Sequence, residues 1–152
     1  MTVEEGKAIL EQNLQGMIVA MTTGVRRIFL TVDVANLIPA CKVAKDKMGY
    51  THVTTITARD TGSAIDVLYH LTQKGLILTI KVSTDRDKPS VTSITPLFPG
   101  AVMYERECHD ILNVDVVGHP DMRRLVLPDD WPEGVFPLRK DWHLNRTTGV
   151  IV

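Results

Sequence analysis

The clearest pattern in the chain is an alternation of apolar and polar residues between positions 64 and 82. The turn sequence Gln73-Lys74-Gly75 interrupts it once, and Asp60-Thr61-Gly62-Ser63 separates it from an earlier Val-, Ile- and Thr-rich run, His52 to Arg59. Two sets of apolar residues at every second position define the pattern: Ile65, Val67, Tyr69 and Leu71, then Leu76, Leu78, Ile80 and Val82. Period-two alternation across tight turns predicts three antiparallel strands with one face on a core.

The N-terminal region predicts a helix followed by a hairpin. Thr2-Val3-Glu4-Glu5 has the form of a capping box, so a helix should begin there and end near Leu14. The apolar run from Met17 to Thr22 and the β-branched run from Arg27 to Val32 then flank the turn Thr23-Gly24. Two strands joined as a hairpin follow from this pattern.

Two further helices are predicted from apolar residues at helical spacing. One should be capped by Asn36 and end at Gly49, and the other should hold Pro99 in its first turn and end at a left-handed Asn113. Their apolar faces are Leu37, Cys41, Ala44 and Met48 in the first, and Ala101, Tyr104, Cys108 and Ile111 in the second. Between them, the run from Val91 to Thr95 is a candidate edge strand.

This order of elements predicts an α+β fold, with helices packed on a mostly antiparallel sheet, over residues 1–113. Seven of the eight prolines lie at or after Pro89, so regular structure should thin out from there. Residues 114–152 are therefore expected to form an irregular, extended C-terminal segment. Because it mixes Trp131 and Trp142 with prolines and both signs of charge, contact with a partner is the favoured interpretation.

Composition narrows the function classes. The net charge of −1 gives no footprint for nucleic acid, and no run approaches 18 apolar residues, so a membrane-spanning segment is not expected. The first residues lack a secretion signal. Cys41 and Cys108 lie far apart, which favours buried, reduced thiols in a cytosolic setting. Since an iron–sulfur cluster needs about four cysteines, we expect no cofactor or metal in this chain itself.

The sequence offers little catalytic chemistry. It has no Walker loop, GxGxxG or GxSxG motif, and Cys108, His109 and His119 do not follow a zinc spacing. His119 is the one candidate for acid–base catalysis, and Asp121 or Asp110 could be its carboxylate partner. On this hypothesis the chain is a small stand-alone enzyme. A structural histidine in a tight turn is the favoured interpretation.

Charge is concentrated between Glu105 and Asp141. Glu107 should lie at the border of the third helix's apolar face, where a partly buried carboxylate needs a cation. We therefore hypothesise that Glu107, and also Asp110, pair with Arg123 or Arg124 and fix the returning chain. The alternative is that all these charges are solvated, as charge runs usually are. His109 should face solvent or a partner.

The same stretch resembles the 30 kDa subunit family of respiratory complex I, the NADH dehydrogenase, and equally its relatives in archaeal deazaflavin dehydrogenases and membrane-bound nickel–iron hydrogenases. The residues that match the family signature are Glu105, Arg106, Glu107, Asp110, Gly118, His119, Pro120, Arg123 and Arg124. Pro128-Asp129-Asp130-Trp131 and Pro137-Leu138-Arg139-Lys140-Asp141 resemble the next block, and Ile56 to Asp60 is similar to a strand that the family ends with an aspartate. Asn113 replaces a usual glycine, and a second Gly-His-Pro reads Gly134-Val135-Phe136-Pro137.

The resemblance implies a non-catalytic structural subunit in the hydrophilic arm of an NADH:quinone oxidoreductase, supporting electron transfer coupled to ion translocation. Its implied partners are the large quinone-site or nickel–iron-type subunit and the small iron–sulfur subunit, which would carry the clusters. Its implied place is peripheral, on the cytoplasmic side of the cell membrane. The alternatives are the equivalent hydrogenase or deazaflavin dehydrogenase subunit, the enzyme using His119, and a free-standing adaptor. The signature residues, with Trp131, Arg139 and Lys140, are expected to contact partners.

Overall fold

The computed structural model describes residues 1–141. Helix α1 spans Val3–Asn13, and both halves of the predicted capping box are present: Glu5 N–H donates to Thr2 Oγ1 at 3.1 Å, and Thr2 N–H donates to the Glu5 carboxylate at 2.8 Å. Strands β1 (Ile18–Gly24) and β2 (Arg27–Val32) pair as the predicted antiparallel hairpin.

Helix α2 spans Leu37–Asp46 and follows a 3₁₀ turn at Val34–Asn36. Asn36 holds the predicted N-cap position, but its side chain makes no capping hydrogen bond. The predicted stop is confirmed, since Gly49 has a φ of +76°, a conformation that a residue with a Cβ adopts at a cost.

Strands β3 (Val53–Asp60), β4 (Ala64–Gln73) and β5 (Leu76–Asp85) form the predicted meander. They join the hairpin in one five-stranded sheet of order β1-β2-β5-β4-β3. The β2–β5 pair is parallel and the other pairs are antiparallel, so the prediction of a mostly antiparallel sheet is confirmed.

Helix α3 spans Ala101–Leu112. In the sequence it comes between two short strands, β6 (Ser90–Thr92) and β7 (Asp115–Val117). These strands pair in parallel as a separate two-stranded sheet. The region of the predicted edge strand therefore contributes to a second sheet, and β7 adds regular structure after Asn113, where little was expected. Asn113 does adopt the predicted left-handed cap, with a φ of 60°. Pro99 lies just before the helix rather than inside its first turn.

The helices pack on the face of the sheet that carries Ile28 and Tyr69, both buried. Gly6 of α1 lies close enough to Ile28 that a Cβ there would meet its side chain at 2.8 Å. The opposite face, with Phe29 and His70, lies away from the helices. No helix in residues 1–141 is both long and apolar enough to cross a membrane.

Candidate functional site

We call residues 118–141 the strap, because this segment of mostly irregular backbone runs back along α3. Two side chains one helical turn apart hold its centre. Arg106 donates to the carbonyl oxygens of Arg123 and Arg124 at 2.9 and 2.8 Å. Asp110 Oδ2 accepts three consecutive backbone N–H groups, from Leu125 at 3.1 Å, Val126 at 2.7 Å and Leu127 at 2.8 Å. Five consecutive residues of the strap are therefore hydrogen-bonded to one face of α3.

Asp110 is built to remain ionised. It is only 6% exposed, and burial alone would raise its pKa. The N–H groups of Leu127, Val126 and Leu125, with the nearby Arg124 charge, outweigh burial and hold the pKa below the ordinary aspartate value. A buried carboxylate that accepts three amides is a strong anchor for the loop it binds.

The pairing predicted for Glu107 is wrong. Within residues 1–141, Glu107 makes no hydrogen bond or ion pair with either arginine. Arg123 instead binds Asp121, with N···O distances down to 2.7 Å, and Arg124 donates to the backbone carbonyls of Pro128 and Trp131. The returning chain is fixed by Arg106 and Asp110 acting on backbone groups, a type of contact that charge spacing in a sequence does not reveal.

The buried carboxylate of α3 is Glu105, which is 2% exposed. It accepts the N–H of Ile94 and the hydroxyl of Ser93, both at 2.7 Å, and so joins α3 to the chain after β6. Burial raises its pKa above the ordinary value of 4.5, although these two donors and His119 act in the opposite direction. The sequence marked Glu105 only as a member of the signature.

His119 is a structural residue. It follows Gly118, whose φ of +82° turns the strap back towards α3, and its side chain is 0% exposed. Nδ1 accepts the N–H of Asp121 at 3.0 Å, so the ring proton is on Nε2, which donates to the carbonyl of Val102 at 3.0 Å. Glu105 lies 3.8 Å from Nε2. With both nitrogens engaged, the ring has no free position for acid–base chemistry on a substrate.

His109, which was expected to face solvent or a partner, bonds within its own helix end. Its Nδ1 lies 3.0 Å from the carbonyl oxygen of Val114.

A second carboxylate holds the far end of the strap. Asp60 is the last residue of β3, and its side chain is 1% exposed. Its carboxylate accepts hydrogen bonds from Nε and Nη2 of Arg86, and the shortest N···O distance is 2.7 Å. It also accepts the N–H groups of Gly62 and Lys140, at 2.8 and 3.0 Å. Arg139 donates to the carbonyls of Leu112 and Arg86. In the sequence, Asp60 stood out only because Ile56 to Asp60 is similar to a strand of the family. Arg86, which lies in a charged loop, was not predicted as its partner.

Several strap side chains are exposed. Trp131 is half-buried, and its indole N–H donates to the carbonyl of Val135 at 2.9 Å, while Arg123 and Lys140 are exposed. Leu125, Val126 and Leu138 are 36%, 54% and 56% exposed. Trp142, the other tryptophan expected to be an anchor, lies outside the described residues.

Comparison with known proteins identifies the architecture. A family model described as the respiratory-chain NADH dehydrogenase 30 kDa subunit matches residues 30–148. The chain belongs to this family. The signature resemblance and the α+β fold class are thereby confirmed.

The family relatives occur in several kinds of complex. An NADH-quinone oxidoreductase subunit of Moorella thermoacetica is 36% identical over 124 residues, which cover 79% of this chain and 82% of that protein. Formate hydrogenlyase subunit 5 of Escherichia coli is 53% identical over 64 residues, 42% of this chain but only 11% of that protein. The archaeal membrane-bound sulfane sulfur reductase contains a chain with a TM-score of 0.81 at 25% identity, covering 95% of this chain and 86% of that one.

The thiols of this family member are buried and protonated. Cys41 and Cys108 are free, and burial, with smaller contributions from nearby glutamates, raises the pKa of each to about 12. The thiolate is the form that binds metals or attacks substrates, so neither cysteine is activated for such chemistry at neutral pH. Among the described residues, no group of three or more His, Cys, Asp or Glu side chains is arranged to hold a metal ion.

The two anchoring carboxyls of α3 should have opposite effects on stability as pH changes. Asp110 has a lowered pKa, so it stabilises the fold above the ordinary aspartate pKa and this contribution is lost as pH falls through the lowered value. Glu105 has a raised pKa, so its contribution is present below about 4 and is lost as pH rises through the raised value.

We therefore expect Glu105→Gln to gain stability relative to the wild type as pH rises from 4 to 8. The matched variant Asp110→Asn should lose stability relative to the wild type as pH rises from below the lowered Asp110 pKa to about 5, and the difference should then stay constant up to pH 8. Urea unfolding at a series of pH values measures both differences. A Glu105→Gln difference that is flat from pH 4 to 8 would show that the Glu105 pKa is not raised in the fold.

Proposed function

We propose that this chain is a non-catalytic structural subunit in the hydrophilic arm of a complex I-like NADH:quinone oxidoreductase. It supports electron transfer coupled to ion translocation by holding the large quinone-site subunit and the small iron–sulfur subunit together. The iron–sulfur clusters belong to those partners. The chain lies on the cytoplasmic side of the cell membrane and reaches the membrane only through the complex.

The strap is the observation that carries this proposal. Side chains of α3 bond one backbone group of each residue from 123 to 127, so this loop is ordered without fully burying Leu125 and Val126. Exposed apolar side chains that are already held in place lose little conformational freedom on binding, which favours affinity. This is the arrangement of a docking surface, whereas a catalytic site would require a nucleophile, base or metal in a cleft.

The charge around this loop specifies the partner's surface. From Leu125 to Phe136 the chain carries Asp129, Asp130 and Glu133, all exposed, and no cation. Arg123 and Arg124, just before this stretch, are bound by Asp121 and by backbone carbonyls respectively. A partner should therefore offer an apolar pocket with a basic rim. A second copy of the same surface would bring like charges together, and an anionic membrane would repel them.

The predicted partner residues divide into two groups. The first group arranges the strap through contacts inside the chain and consists of Glu105, Arg106, Asp110, Gly118, His119, Arg124 and Arg139. Pro120, Arg123 and Lys140 are exposed and remain our candidates for direct contact, with half-buried Trp131 and Glu107 beside them. The stand-alone enzyme is disfavoured because the His119 ring is buried with both nitrogens bonded.

A second candidate is the equivalent subunit of an energy-converting nickel–iron hydrogenase or a deazaflavin dehydrogenase. The identity of 53% to formate hydrogenlyase subunit 5 over 64 residues favours it. The carrier that the purified complex oxidises separates the two candidates.

Native purification tests the proposal. The chain, tagged and expressed at its natural level in its own host, should emerge with a large subunit and an iron–sulfur subunit, and the complex should oxidise a reduced carrier. The isolated chain should catalyse no such oxidation. Recovery of the chain alone, without any iron-containing partner, would contradict the proposal.

A further inference from the structure

One edge strand of the main sheet has no neighbouring strand on its outer side. Strand β1 lies at the end of the strand order and pairs with β2 alone. Within residues 1–141, the backbone of Ile18–Gly24 makes no hydrogen bond apart from those with β2. In an antiparallel pair, alternate residues direct their N–H and C=O groups away from the neighbouring strand. In this part of the chain, the outer side of β1 is thus a row of free donors and acceptors.

This edge lacks most of the features that protect sheet edges in proteins. Edge strands are usually guarded by charges, prolines, bulges or covering segments. From Gly16 to Val25 the chain has no charged residue and no proline. One bulge is present, where the register shifts between Ile18 and Ala20, and the pairing from Ala20 to Gly24 is regular. The opposite edge, β3, carries the exposed Arg59 and packs against α3.

The side chains beside this edge form a place for a neighbouring strand. Ala20, Thr22 and Gly24 pair with residues on the sheet face that lies away from the helices, and Thr22 lies opposite Phe29. Phe29 is 41% exposed, although it is a large aromatic residue in the second strand. The residues between its ring and the free edge are small, so a side chain on an added strand could reach the ring.

We propose that β1 accepts an extended segment of another polypeptide of the same assembly, which becomes a sixth strand of the sheet. Main-chain hydrogen bonds would supply the affinity, and alternate side chains the specificity. The segment should be uncharged along the paired residues, with an apolar side chain towards Phe29. It should carry a carboxylate near the Gly24 end, where Arg26 and Arg27 lie exposed. This inference rests on the proposed function, because it requires a partner chain.

A second copy of this chain fits the edge less well. Antiparallel self-pairing would place the bulged start of each β1 opposite the Gly24 end of the other, so the bulges would fall within the paired region. Arg26 and Arg27 of each copy would then face residues 15–18, which contain no carboxylate. The charge and the register therefore favour a different polypeptide.

Hydrogen–deuterium exchange of the native assembly, compared with the full-length chain alone, tests this inference. We expect the outward N–H groups of residues 18–25, followed in a peptide that covers them, to exchange at least tenfold more slowly in the assembly than in the chain alone. Residues 65–71, in the inner strand β4, should be protected equally in both. Equal exchange of residues 18–25 in the two samples would overturn the inference.

Charge placed on the edge provides a second measurement. Thr22→Lys should abolish the added protection of residues 18–25, while the matched Val25→Lys, in the turn of the same hairpin and 96% exposed, should preserve it. A photo-crosslinker at position 22 should join a different polypeptide, and a crosslink to a second copy of this chain would contradict the assignment. If an assembly is recovered with residues 18–25 unprotected, this inference fails alone; if no assembly is recovered, the proposed function fails.

Discussion

Replacing Asp110 with alanine should release the centre of the strap and destabilise the chain by about 3 kcal/mol. The physical reason is that three consecutive N–H groups lose one shared acceptor, which is itself ionised and largely buried. For a chain of 152 residues this corresponds to a fall in Tm of roughly 6–12 °C. Calorimetry of the isolated chain measures it.

The control for this variant is Asp130→Ala, which removes an exposed carboxylate of the same segment and should leave Tm within about 1 °C. Hydrogen exchange should also accelerate at residues 125–127 in the Asp110 variant and stay unchanged in β4. Tm values for Asp110→Ala and Asp130→Ala that agree with each other would show that the Asp110 contacts do not hold the strap.

Replacing Asp60 with alanine should lower Tm by at least as much and should act on the other end of the strap. Asp60 pairs with Arg86, whose side chain is 21% exposed, so its loss leaves a partly buried guanidinium without its main counter-ion. The N–H groups of Gly62 and Lys140 lose their acceptor at the same time. Both effects are unfavourable to the native state.

Local measurements distinguish this second anchor from the first. Exchange should accelerate at residues 138–141 while residues 125–127 keep their protection, the reverse of the Asp110→Ala pattern. Asp87→Ala, a change of the exposed carboxylate next to Arg86, serves as the control. If Asp60→Ala and Asp87→Ala had the same Tm and exchange, the two-anchor description of the strap would be incorrect.

The main elements could be predicted from the sequence because their signals are local. The alternation around Tyr69 gives β4 and β5, the capping box at Thr2 gives the start of α1, and the left-handed Asn113 gives the end of α3. The parallel pairing of β2 with β5 is different, because it joins residues some 50 positions apart and no turn sequence specifies it. The parallel pairing of β6 with β7 is likewise specified by no turn sequence, and each of these strands has only three residues.

The candidate site stays a prediction, and sequence reasoning assigned the contacts within it to the wrong atoms. Sequence reasoning paired carboxylates with the charged ends of arginines, as in Glu107 with Arg123. The structure uses backbone amides and carbonyls as partners, for Asp110 and Arg106 respectively. Every residue has such groups, so a sequence gives no signal that selects residues 123–127. The burial of Glu105 was missed for a related reason, since its donors are one backbone amide and one serine hydroxyl, neither of which carries a charge.

The two anchors together explain how an irregular segment can be held in place as the docking surface that we propose. The strap has few regular elements of its own, yet α3 holds its centre and Asp60 holds its end. Val126, within the first anchor, and Leu138, close to the second, keep apolar side chains outside the core. A surface of this kind suits a family whose relatives carry names of oxidoreductase and hydrogenase subunits.

The most direct test of the central claim is the amount of large subunit that co-purifies with a chain carrying Leu125→Ser and Val126→Ser, expressed in its own host. Val126 is 54% exposed and Leu125 is 36% exposed, so the isolated variant should stay folded, with a Tm within about 5 °C of the wild type. We predict at least a tenfold loss of the large subunit, and no loss for the matched control Val25→Ser with Val117→Ser, which are also exposed. Wild-type recovery of the large subunit with the Leu125 and Val126 variant would contradict the claim that the strap is the docking surface.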